Sequence, residues 1–369
     1  MKIPLSAPDI TEAEIEAVVA VLRTSRLSLG PVTEQFEAQV AASVSVPHAI
    51  AVSSGTAGLH LCIRALDIGD GDEVIVPSFA FIAAANAIRY ERAVPVFVDI
   101  DPVTLNIDPQ RIEEAITPRT RAIMAVHTFG VPAEMSAILE IAARRGLIVI
   151  EDACEAIGAE YDGRKVGSIG SAGVFAFYPN KQITTGEGGV VVTRDATFAR
   201  RVRALRNQGR YETDDWFQHT ELGYNYRISE INCALGLAQM MRLEEILKKR
   251  ETVAFAYHQR LDRRPDLVLP SPSLRGGRIS WFVYVVRLTF GSDRDRILRG
   301  MTDAGIGCGR YFAPIHLQPS YTGYRNSANL AVTETEAQRT IALPFFNNLG
   351  TEAINEVCDT LTKLLQKSL

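Results

Sequence analysis

The chain has 369 residues, of which 47% are hydrophobic and 22% are charged, and its formal net charge at pH 7 is -4. These values are typical of a globular protein with a large core and two domains. The charge balance and the lack of a basic run argue against a nucleic-acid partner and against binding at a membrane surface.

Cysteine usage and the first residues indicate the compartment. The five cysteines are widely spaced and form no C-x-x-C pair, so the sequence predicts neither a disulfide framework nor a metal site. No stretch approaches the 18 apolar residues of a membrane span, and acidic residues stand where a secretory signal needs an apolar core: Asp9, Glu12, Glu14 and Glu16. We therefore expect a cytoplasmic protein with no membrane partner.

The chain opens with helices. Thr11 and Glu14 form a capping box, and the apolar residues that follow on one face predict a helix over 12–23. A break at Gly30-Pro31 precedes a second predicted helix, which turns Phe36 inward.

From residue 49 onward, short apolar runs alternate with helical stretches. Strands are predicted at 49–52, 73–76, 94–98, 122–126 and 147–150, and helices near 56–66, 79–90, 109–116 and 133–145. Because parallel strands need crossover helices, this alternation predicts a mostly parallel sheet covered by helices on both faces. Ligands bind such sheets beyond the carboxyl ends of the strands.

A hairpin is predicted next, with Lys181 in its turn. An alternating run at 173–178 and a β-branched run at 190–193 flank a polar, Gly-rich turn. A lysine held against a rigid sheet, with its ammonium partly desolvated and its pKa lowered, can attack a carbonyl to form an imine. A lone loop lysine is more often a plain surface residue, so its neighbours decide the interpretation.

The rest of the chain predicts a connection and a second unit. After a helix near 195–205, residues 207–227 have no regular pattern, and a connection of that length is usually functional. Ser229 caps a helix that we expect to continue to about Leu261. The second unit is expected to contain a strand at 282–288 and helices near 293–304 and 351–366, which gives a large domain at 1–245, including an N-terminal helical arm, and a small α/β domain at 246–369.

Small residues follow the first predicted strand. Gly55 and Thr56 lie in Ser53-Ser54-Gly55-Thr56, where a helix begins. Free backbone N–H groups, the helix dipole and the Thr56 hydroxyl would make this segment a phosphate cup. The same residues make an ordinary helix N-cap equally well.

Two other strands end at candidate ligand contacts. Phe79 and Phe81 follow the second strand, where core packing is the usual explanation and stacking on a flat cofactor is the other. Asp152 follows strand 147–150 and either caps a helix or pairs with a protonated ring nitrogen, which its charge would keep protonated. Together with Lys181 and the phosphate cup, these groups are the ones that pyridoxal phosphate requires.

The sequence resembles the DegT and StrS family of sugar aminotransferases, which are pyridoxal-phosphate enzymes of fold type I, over nearly its whole length. The motifs that carry the resemblance are SSGTAGLHL at 53–61, PSFAFIAAANAI at 77–88, FVDIDPVTLNID at 97–108, EDACEAIGA at 151–159, FAFYPNKQITTGEGG at 175–189, GYNYRISEINCALGLAQ at 223–239 and YFAPIHLQPSY at 311–321. The resemblance implies an α/β fold with a helix-covered, mostly parallel sheet in the large domain and a smaller C-terminal α/β domain.

The resemblance also implies roles for single residues. Lys181 is implied to bond to pyridoxal phosphate as a Schiff base, Asp152 to contact the pyridine nitrogen, and Gly55 with Thr56 to contact the phosphate. Phe81 falls where the family stacks an aromatic ring on the cofactor.

Further implied residues concern the assembly and the substrate. The resemblance implies a homodimer with shared active sites, in which Asn225 reaches the phosphate bound by the neighbouring subunit and Arg227 lies close by. Tyr311 and His316 fall where the family lines the sugar pocket. Without the resemblance, a lone histidine beside prolines is more often structural.

Two residues depart from the commoner family pattern. Ala176 stands where the family often has a serine that donates to the phosphate, so one donor is lost or is supplied by another group. Glu155 stands at a cofactor-binding position that is often Gln or His, near the phenolic oxygen of the ring. A second carboxylate there alters the charge balance unless it is neutralised or turned away.

The expected reaction moves an amino group from an amino acid, by resemblance L-glutamate, to a keto group of a nucleotide-linked deoxysugar. A keto-cyclitol acceptor stays open as an alternative. Sugar dehydratases of the same fold replace the lysine, typically with histidine, and some carry an iron–sulfur cluster, so Lys181 and the scattered cysteines argue against that activity. The net charge of -4 argues against a DNA-binding regulator.

Overall fold

The computed structural model describes residues 2–273, 276–324 and 329–366. Helices and strands alternate through its N-terminal part. The helices are α1 (Glu12–Leu22), α2 (Pro31–Ser43), α3 (Gly55–Ala65), α4 (Ala83–Tyr90), α5 (Pro109–Ala115), α6 (Met135–Arg145), α7 (Ala196–Arg206) and α8 (Glu230–Met241). The strands are β1 (His48–Val52), β2 (Glu73–Pro77), β3 (Val94–Val98), β4 (Thr120–Val126), β5 (Ile148–Asp152), β6 (Glu160–Tyr161), β7 (Arg164–Lys165), β8 (Ala172–Ala176) and β9 (Gly189–Thr193).

Seven of these strands form one sheet in the order β1-β9-β8-β5-β4-β2-β3, and β6 pairs with β7 apart from it. Within the described residues, β9 alone runs in the opposite direction to the other strands of the sheet, so its pairings with β1 and β8 are antiparallel. The other pairings are parallel. The mostly parallel α/β sheet predicted from the sequence is confirmed.

The sheet is buried on both faces because alternate residues of its strands enter two different cores. In β2, Ile75 belongs to the core on one face of the sheet, which also includes residues of α2 and α6, whereas Val74 and Val76 belong to the core on the other face, which includes residues of α3, α4 and α7. Each fully buried Val or Ile side chain contributes about 1.5–3 kcal/mol to folding. This two-sided burial explains why the strands read as continuous apolar runs and not as alternating ones.

The C-terminal part forms a second unit with its own core. It contains α9 (Leu243–Leu261), α10 (Arg294–Asp303), α11 (Ala331–Arg339) and α12 (Thr351–Gln366), and an antiparallel sheet of β10 (Leu267–Val268), β11 (Tyr284–Leu288) and β12 (Thr340–Leu343) in the order β10-β11-β12. Along α9, Leu247 still packs in the core of the large sheet, whereas Val253 packs in the second core.

The N-terminal arm departs from the predicted division. The division at 245/246 assigned the arm to the large domain, but Ile3 pairs with Ile306 and is buried in the second core. Phe345 also donates its backbone N–H to the Leu5 carbonyl at 2.8 Å. The first residues of the arm therefore belong to the C-terminal unit.

The helix predicted from Ser229 to Leu261 is two helices. Ser229 caps α8 through Asn232 N, as expected, but the helix stops at Arg242, which has φ -104° and ψ 7°. The Arg242 guanidinium binds the carboxylate of Glu14 at 2.8 Å and that of Asp9 at 3.4 Å. The break therefore reflects contacts with a distant segment, and the local sequence pattern does not show it.

None of the helices in the described ranges combines the length with the apolar content that a membrane span requires. The same ranges contain no group of three or more His, Cys, Asp and Glu side chains arranged to hold a metal ion.

Candidate active site

A cavity of about 320 Å³ opens at the carboxyl ends of β1, β5 and β8 and is closed on one side by the C-terminal unit. Seven of the predicted site residues line it: Gly55, Thr56, Phe81, Asp152, Glu155, Lys181 and Tyr311. The lysine and the aspartate, which are 29 positions apart in the sequence, therefore open into one cavity.

The N-terminus of α3 forms the floor of this cavity. Ser54 caps the helix by accepting a hydrogen bond from Ala57 N at 3.1 Å, and the first-turn N–H groups of a helix have no partner within the helix. A Cβ added at Gly55 would lie 2.6 Å from Ala176 Cβ and 2.9 Å from Cys154 Sγ. Gly55 therefore has no room for a side chain, and the backbone N–H groups at this helix start form a cradle that is suited to an anion.

Asp152 ends strand β5, between β4 and β8. It pairs with Val126 on one side and with Val174 on the other, and its side chain is buried. One carboxylate oxygen accepts a hydrogen bond from Cys154 N at 3.1 Å. Within the described ranges it forms no ion pair, so a buried carboxylate in the cavity wall is left to meet a cationic group of a ligand.

Lys181 enters the cavity from the turn between β8 and β9. Its backbone N–H donates to the Tyr178 carbonyl at 2.9 Å, and the hairpin continues past the strands because Phe177 and Gly188 are hydrogen-bonded. The side chain is 13% exposed, and its Nζ lies 3.4 Å from Glu155 Oε1 and 4.0 Å from the centre of the Phe282 ring. The amine is thus held between a carboxylate and an aromatic face.

Glu155 faces the lysine and is not turned away from it. Its Oε2 accepts a hydrogen bond from Phe129 N at 2.9 Å. Burial raises the pKa of the Glu155 carboxyl, and the Asp152 charge adds to this effect, while Lys181 and the Phe129 N–H oppose it. The balance leaves that pKa above the ordinary value for a glutamate.

The two aromatic residues after β2 have different surroundings. Phe79 is fully buried and packs edge-to-face on Phe129 and Phe312, so core packing explains it. Phe81 is 61% exposed and lies in the cavity wall. An exposed ring at the edge of a cavity gains by stacking on a flat ligand.

Tyr311 comes from the C-terminal unit and forms the wall opposite the sheet. Its ring is nearly parallel to that of Phe282, with centroids 6.3 Å apart, and also stacks near Phe129. Burial raises the pKa of the Tyr311 hydroxyl, and the Glu155 charge adds to this effect. The hydroxyl therefore stays protonated at neutral pH.

Two predicted residues do not reach the cavity of their own chain. His316 is 4% exposed at its side chain, with Nδ1 2.6 Å from Ser78 Oγ and Nε2 3.2 Å from Glu334 Oε1. The short turn Ile315–Leu317 is hydrogen-bonded to Ser78 at the end of β2, and the His316 ring does not line the cavity. Its role in a sugar pocket stays a prediction. Asn225 is exposed on the connection after α7 and bridges to the backbone of Asn207.

Several lining residues were not predicted from the sequence. Tyr178 and Asn180 precede Lys181 in the same motif, so their proximity in the chain could have identified them. Phe282 approaches from the other unit, and no local signal connects it with Lys181. Asn180 Oδ1 is buried and makes no hydrogen bond with the described atoms, which leaves an acceptor for a ligand donor.

These groups fit pyridoxal phosphate. The cradle at Gly55 offers backbone donors for a phosphate, the buried carboxylate of Asp152 suits a protonated ring nitrogen, and Lys181 provides an amine for the aldehyde. All of them line the same cavity.

Comparison with known proteins agrees with this chemistry. A model of the DegT/DnrJ/EryC1/StrS aminotransferase family matches residues 8–362. A curated relative, GDP-perosamine synthase from Caulobacter vibrioides, is 41% identical over 99% of this chain and 98% of its own.

Two solved structures have the same fold over their full length. The aminotransferase TlmJ from Streptoalloteichus hindustanus has a TM-score of 0.94 at 34% identity and covers 99% of both chains. The putative sugar aminotransferase Spr1654 from Streptococcus pneumoniae, in its PLP form, has a TM-score of 0.95 at 26% identity and covers 100% of both chains. The fold, the family and the cofactor predicted from the sequence are confirmed. This chain belongs to the DegT/DnrJ/EryC1/StrS aminotransferase family, and it is a pyridoxal-phosphate-dependent aminotransferase.

Proposed function

We propose that the protein transfers an amino group from an amino acid, L-glutamate, to a keto group of a nucleotide-linked deoxysugar, giving an amino sugar. The observation that carries the proposal is the position of Lys181 and Asp152 in the wall of one cavity, which the Gly55 cradle also lines. The nature of the acceptor is supported by the relative named GDP-perosamine synthase, which matches this chain from end to end.

Each residue has a defined task in this proposal. When bound, pyridoxal phosphate supplies an aldehyde carbon that accepts the amino group and a ring that takes up the electrons of the broken C–H bond. Gly55 and Thr56 hold the phosphate, and Phe81 covers the ring. Asp152 keeps the ring nitrogen protonated through its negative charge.

Lys181 fixes the cofactor and then works as an acid and a base. With pyridoxal phosphate bound, the free Nζ would move a proton at the α-carbon of the amino acid. Its place between Glu155 Oε1 and the Phe282 ring keeps the freed amine inside the cavity. The C-terminal unit, through Tyr311 and Phe282, excludes water from that amine.

The size of the cavity bears on where the substrate binds. A volume of about 320 Å³ is at the lower end for ligand sites, and the cofactor takes up much of it. We therefore place the keto carbon at the cavity mouth, beside Tyr178 and Phe81, and the nucleotide outside the mouth.

We also propose a homodimer in which Asn225 reaches the phosphate bound by the partner subunit. Two observations support this assembly. Asn225 is exposed and does not line the cavity of its own chain. The connection that carries it also exposes three large apolar side chains: Trp216 at 77%, Phe217 at 78% and Leu222 at 78%. The cysteine pattern and the nucleotide-linked substrate favour a cytoplasmic location.

The proposed function is tested by replacing the lysine. Purified wild-type protein should be yellow, should lose its visible absorbance on addition of L-glutamate, and should form amino products from nucleotide-linked keto-sugars. Lys181→Ala should lower turnover at least about 1,000-fold, because both the attachment and the proton transfer depend on this amine. Mass spectrometry of products from a panel of keto-sugar nucleotides and keto-cyclitols measures the outcome.

Lys363→Ala, on the exposed face of α12, is the matched control and should leave turnover unchanged. Near-wild-type turnover in Lys181→Ala would refute the assignment. Products from keto-cyclitols alone would overturn the acceptor and leave the aminotransferase chemistry in place.

A further inference from the structure

Hydrogen bonds hold both the side-chain carboxylate and the backbone carbonyl of Glu155. Its Oε2 accepts from Phe129 N at 2.9 Å, and its backbone carbonyl accepts from Gln182 Nε2 at 2.6 Å. Gln182 in turn donates to Ser280 Oγ at 2.7 Å. These contacts fix the orientation of the carboxylate and place its second oxygen, Oε1, 3.4 Å from the Lys181 Nζ.

The nitrogen of Lys181 therefore has two stabilising neighbours. The Glu155 carboxylate lies on one side and the Phe282 ring, 4.0 Å from Nζ to its centre, on the other. A carboxylate at this distance and an aromatic face both favour a positive charge over a neutral amine. The remaining titratable groups that line the same cavity are Asp152, Cys154, Tyr178, Glu187 and Tyr311.

The charge balance makes the pair interdependent. Asp152 and Glu155 repel each other, and burial disfavours the charged form of Glu155. The Lys181 charge opposes both effects. A positive charge on the Lys181 nitrogen thus favours the ionised form of Glu155, and the same 3.4 Å contact lets an ionised Glu155 stabilise that positive charge.

We propose that Glu155 is a positioning residue whose carboxylate stabilises the positive charge on the Lys181 nitrogen, both when the free amine has taken up a proton and when the nitrogen is bonded to the cofactor. The second half of this statement rests on the proposed function, whereas the first half does not. Glutamine at this position would keep the hydrogen bond to Phe129 N and lose the charge. The proposal thus gives the departure from the commoner family pattern a physical role.

The loaded enzyme provides the first test. The visible absorbance of the bound cofactor changes when the lysine-derived nitrogen loses its proton, so a pH titration of the spectrum gives the midpoint of that loss. Glu155→Gln should lower the midpoint by about one pH unit or more. Glu187→Gln is the matched control, because Glu187 lines the same cavity, is exposed, and makes no ion pair with Lys181 in the described structure. An unchanged or raised midpoint in Glu155→Gln, or an equal shift in the control, would overturn the proposal.

The cofactor-free chain provides the second test. Reductive methylation with formaldehyde and cyanoborohydride modifies only neutral amines, and mass spectrometry of the peptide that contains Lys181 gives its rate. At neutral pH, Glu155→Gln should react about tenfold faster than the wild type, since one pKa unit is a tenfold change in the neutral fraction. Equal rates would contradict the proposal.

The two tests separate the possible failures. A wild-type protein without a visible band but with the expected methylation difference would refute the proposed function and leave the Glu155–Lys181 pair standing. If Glu155→Gln does not fold, Glu155→Asp replaces it, because aspartate keeps the charge and places it one methylene farther from Lys181. The midpoint should then fall and the methylation rate should rise, each by less than expected for Glu155→Gln. No shift in Glu155→Asp would then count against the proposal.

Discussion

Glu151 and Asp152 are adjacent acidic residues with different surroundings, because strand β5 turns them to opposite sides. Glu151 is fully buried, pairs with His127 Nε2 at 2.9 Å, and accepts hydrogen bonds from the backbone of Gly167, Ile169 and Gly170. Asp152 lines the cavity. Strand periodicity alone selects the second acid as the one at the sheet's end, so the sequence could predict its placement. The loop that Glu151 fastens comes from a later segment, and no local pattern shows it.

The surroundings of Lys181 were only partly predictable. Its motif and the Gly-rich turn place it at the edge of the sheet, but the groups that touch its Nζ come from residues 26 positions earlier and 101 positions later, Glu155 and Phe282. The first contact follows from the pairing of β5 with β8, and the second follows from the packing of the two units. The sequence marks Glu155 as a departure from the commoner family pattern, but the orientation of its side chain depends on contacts with distant segments.

A substitution of Ala176 should increase the affinity of the protein for pyridoxal phosphate. It ends β8 opposite Gly189, and its Cβ faces the Gly55 cradle. A hydroxyl added there by Ala176→Ser would give a bound phosphate one more donor, worth about 0.5–1.5 kcal/mol, so cofactor affinity should rise about two- to tenfold. Equilibrium dialysis of pyridoxal phosphate measures the dissociation constant. Thr56→Ala, which removes a donor from the same cradle, should weaken binding, and unchanged affinity in both variants would mean that the phosphate binds elsewhere.

At the scale of elements, the junction between α8 and α9 ties the N-terminal arm to the rest of the chain. Glu14 on α1 is buried and binds Arg242 at 2.8 Å and Gln239 Nε2 at 2.8 Å. Asp9 binds Lys249 on α9 at 3.1 Å. The helices themselves were predictable from caps and apolar periodicity, as the bounds of α1 and α12 show. The break between α8 and α9 could not be predicted from the local sequence, because the contacts that cause it come from residues more than 220 positions away in the chain.

Glu14 gives a pH-dependent stability prediction for this junction. Burial raises the pKa of Glu14, but hydrogen bonds from Thr11, Arg242 and Gln239 together hold it at about 2, below the ordinary value of 4.5. A carboxyl whose pKa is lowered by folding stabilises the protein above its unfolded pKa, and this stabilisation is lost as the pH falls through the folded pKa. Glu14→Gln should therefore lower the free energy of unfolding by about 2 kcal/mol at pH 7.

Urea unfolding at several pH values between 7 and 2 measures this difference. The gap between wild type and Glu14→Gln should stay constant down to about pH 4.5 and narrow toward pH 2, because protonated Glu14 loses its ionic contacts in the wild type as well. Glu12→Gln, on the exposed side of the same helix, is the control and should show no such gap. A gap that widens as the pH falls would contradict the assignment.

At the scale of the whole molecule, the site is complete only where separate parts of the chain meet. The large sheet provides Lys181, Asp152 and the Gly55 cradle, and the C-terminal unit provides Tyr311 and Phe282. The two-unit architecture followed from the order of predicted elements. The packing of the two units around Lys181 could not be predicted in this way. It depends on surfaces that form only when several helices and strands come together.

The connection after α7 is anchored at its base and exposed at its tip. Gln208 N donates to the Tyr224 carbonyl at 2.8 Å, and the stacked rings of Tyr224 and Tyr226 pack on His60 of α3. The tip exposes Trp216 and Phe217. A rigid base with an apolar tip suits a segment that reaches over a second copy of the chain and presents Asn225 to it.

Hybrid dimers test whether the sites are shared. Lys181→Ala and Asn225→Ala chains can be co-expressed with different tags and purified through both. With shared sites, this hybrid dimer has one doubly defective site and one site that carries both native residues. If Asn225 serves the partner's phosphate, the hybrid should have about half the wild-type activity per dimer, well above either variant alone. If Asn225 acts within its own subunit, both hybrid sites are defective and activity should be no more than about half that of the Asn225→Ala homodimer. A monomer in light scattering at the assay concentration would contradict the assembly itself, because an exposed Asn225 would then have no second active site to reach.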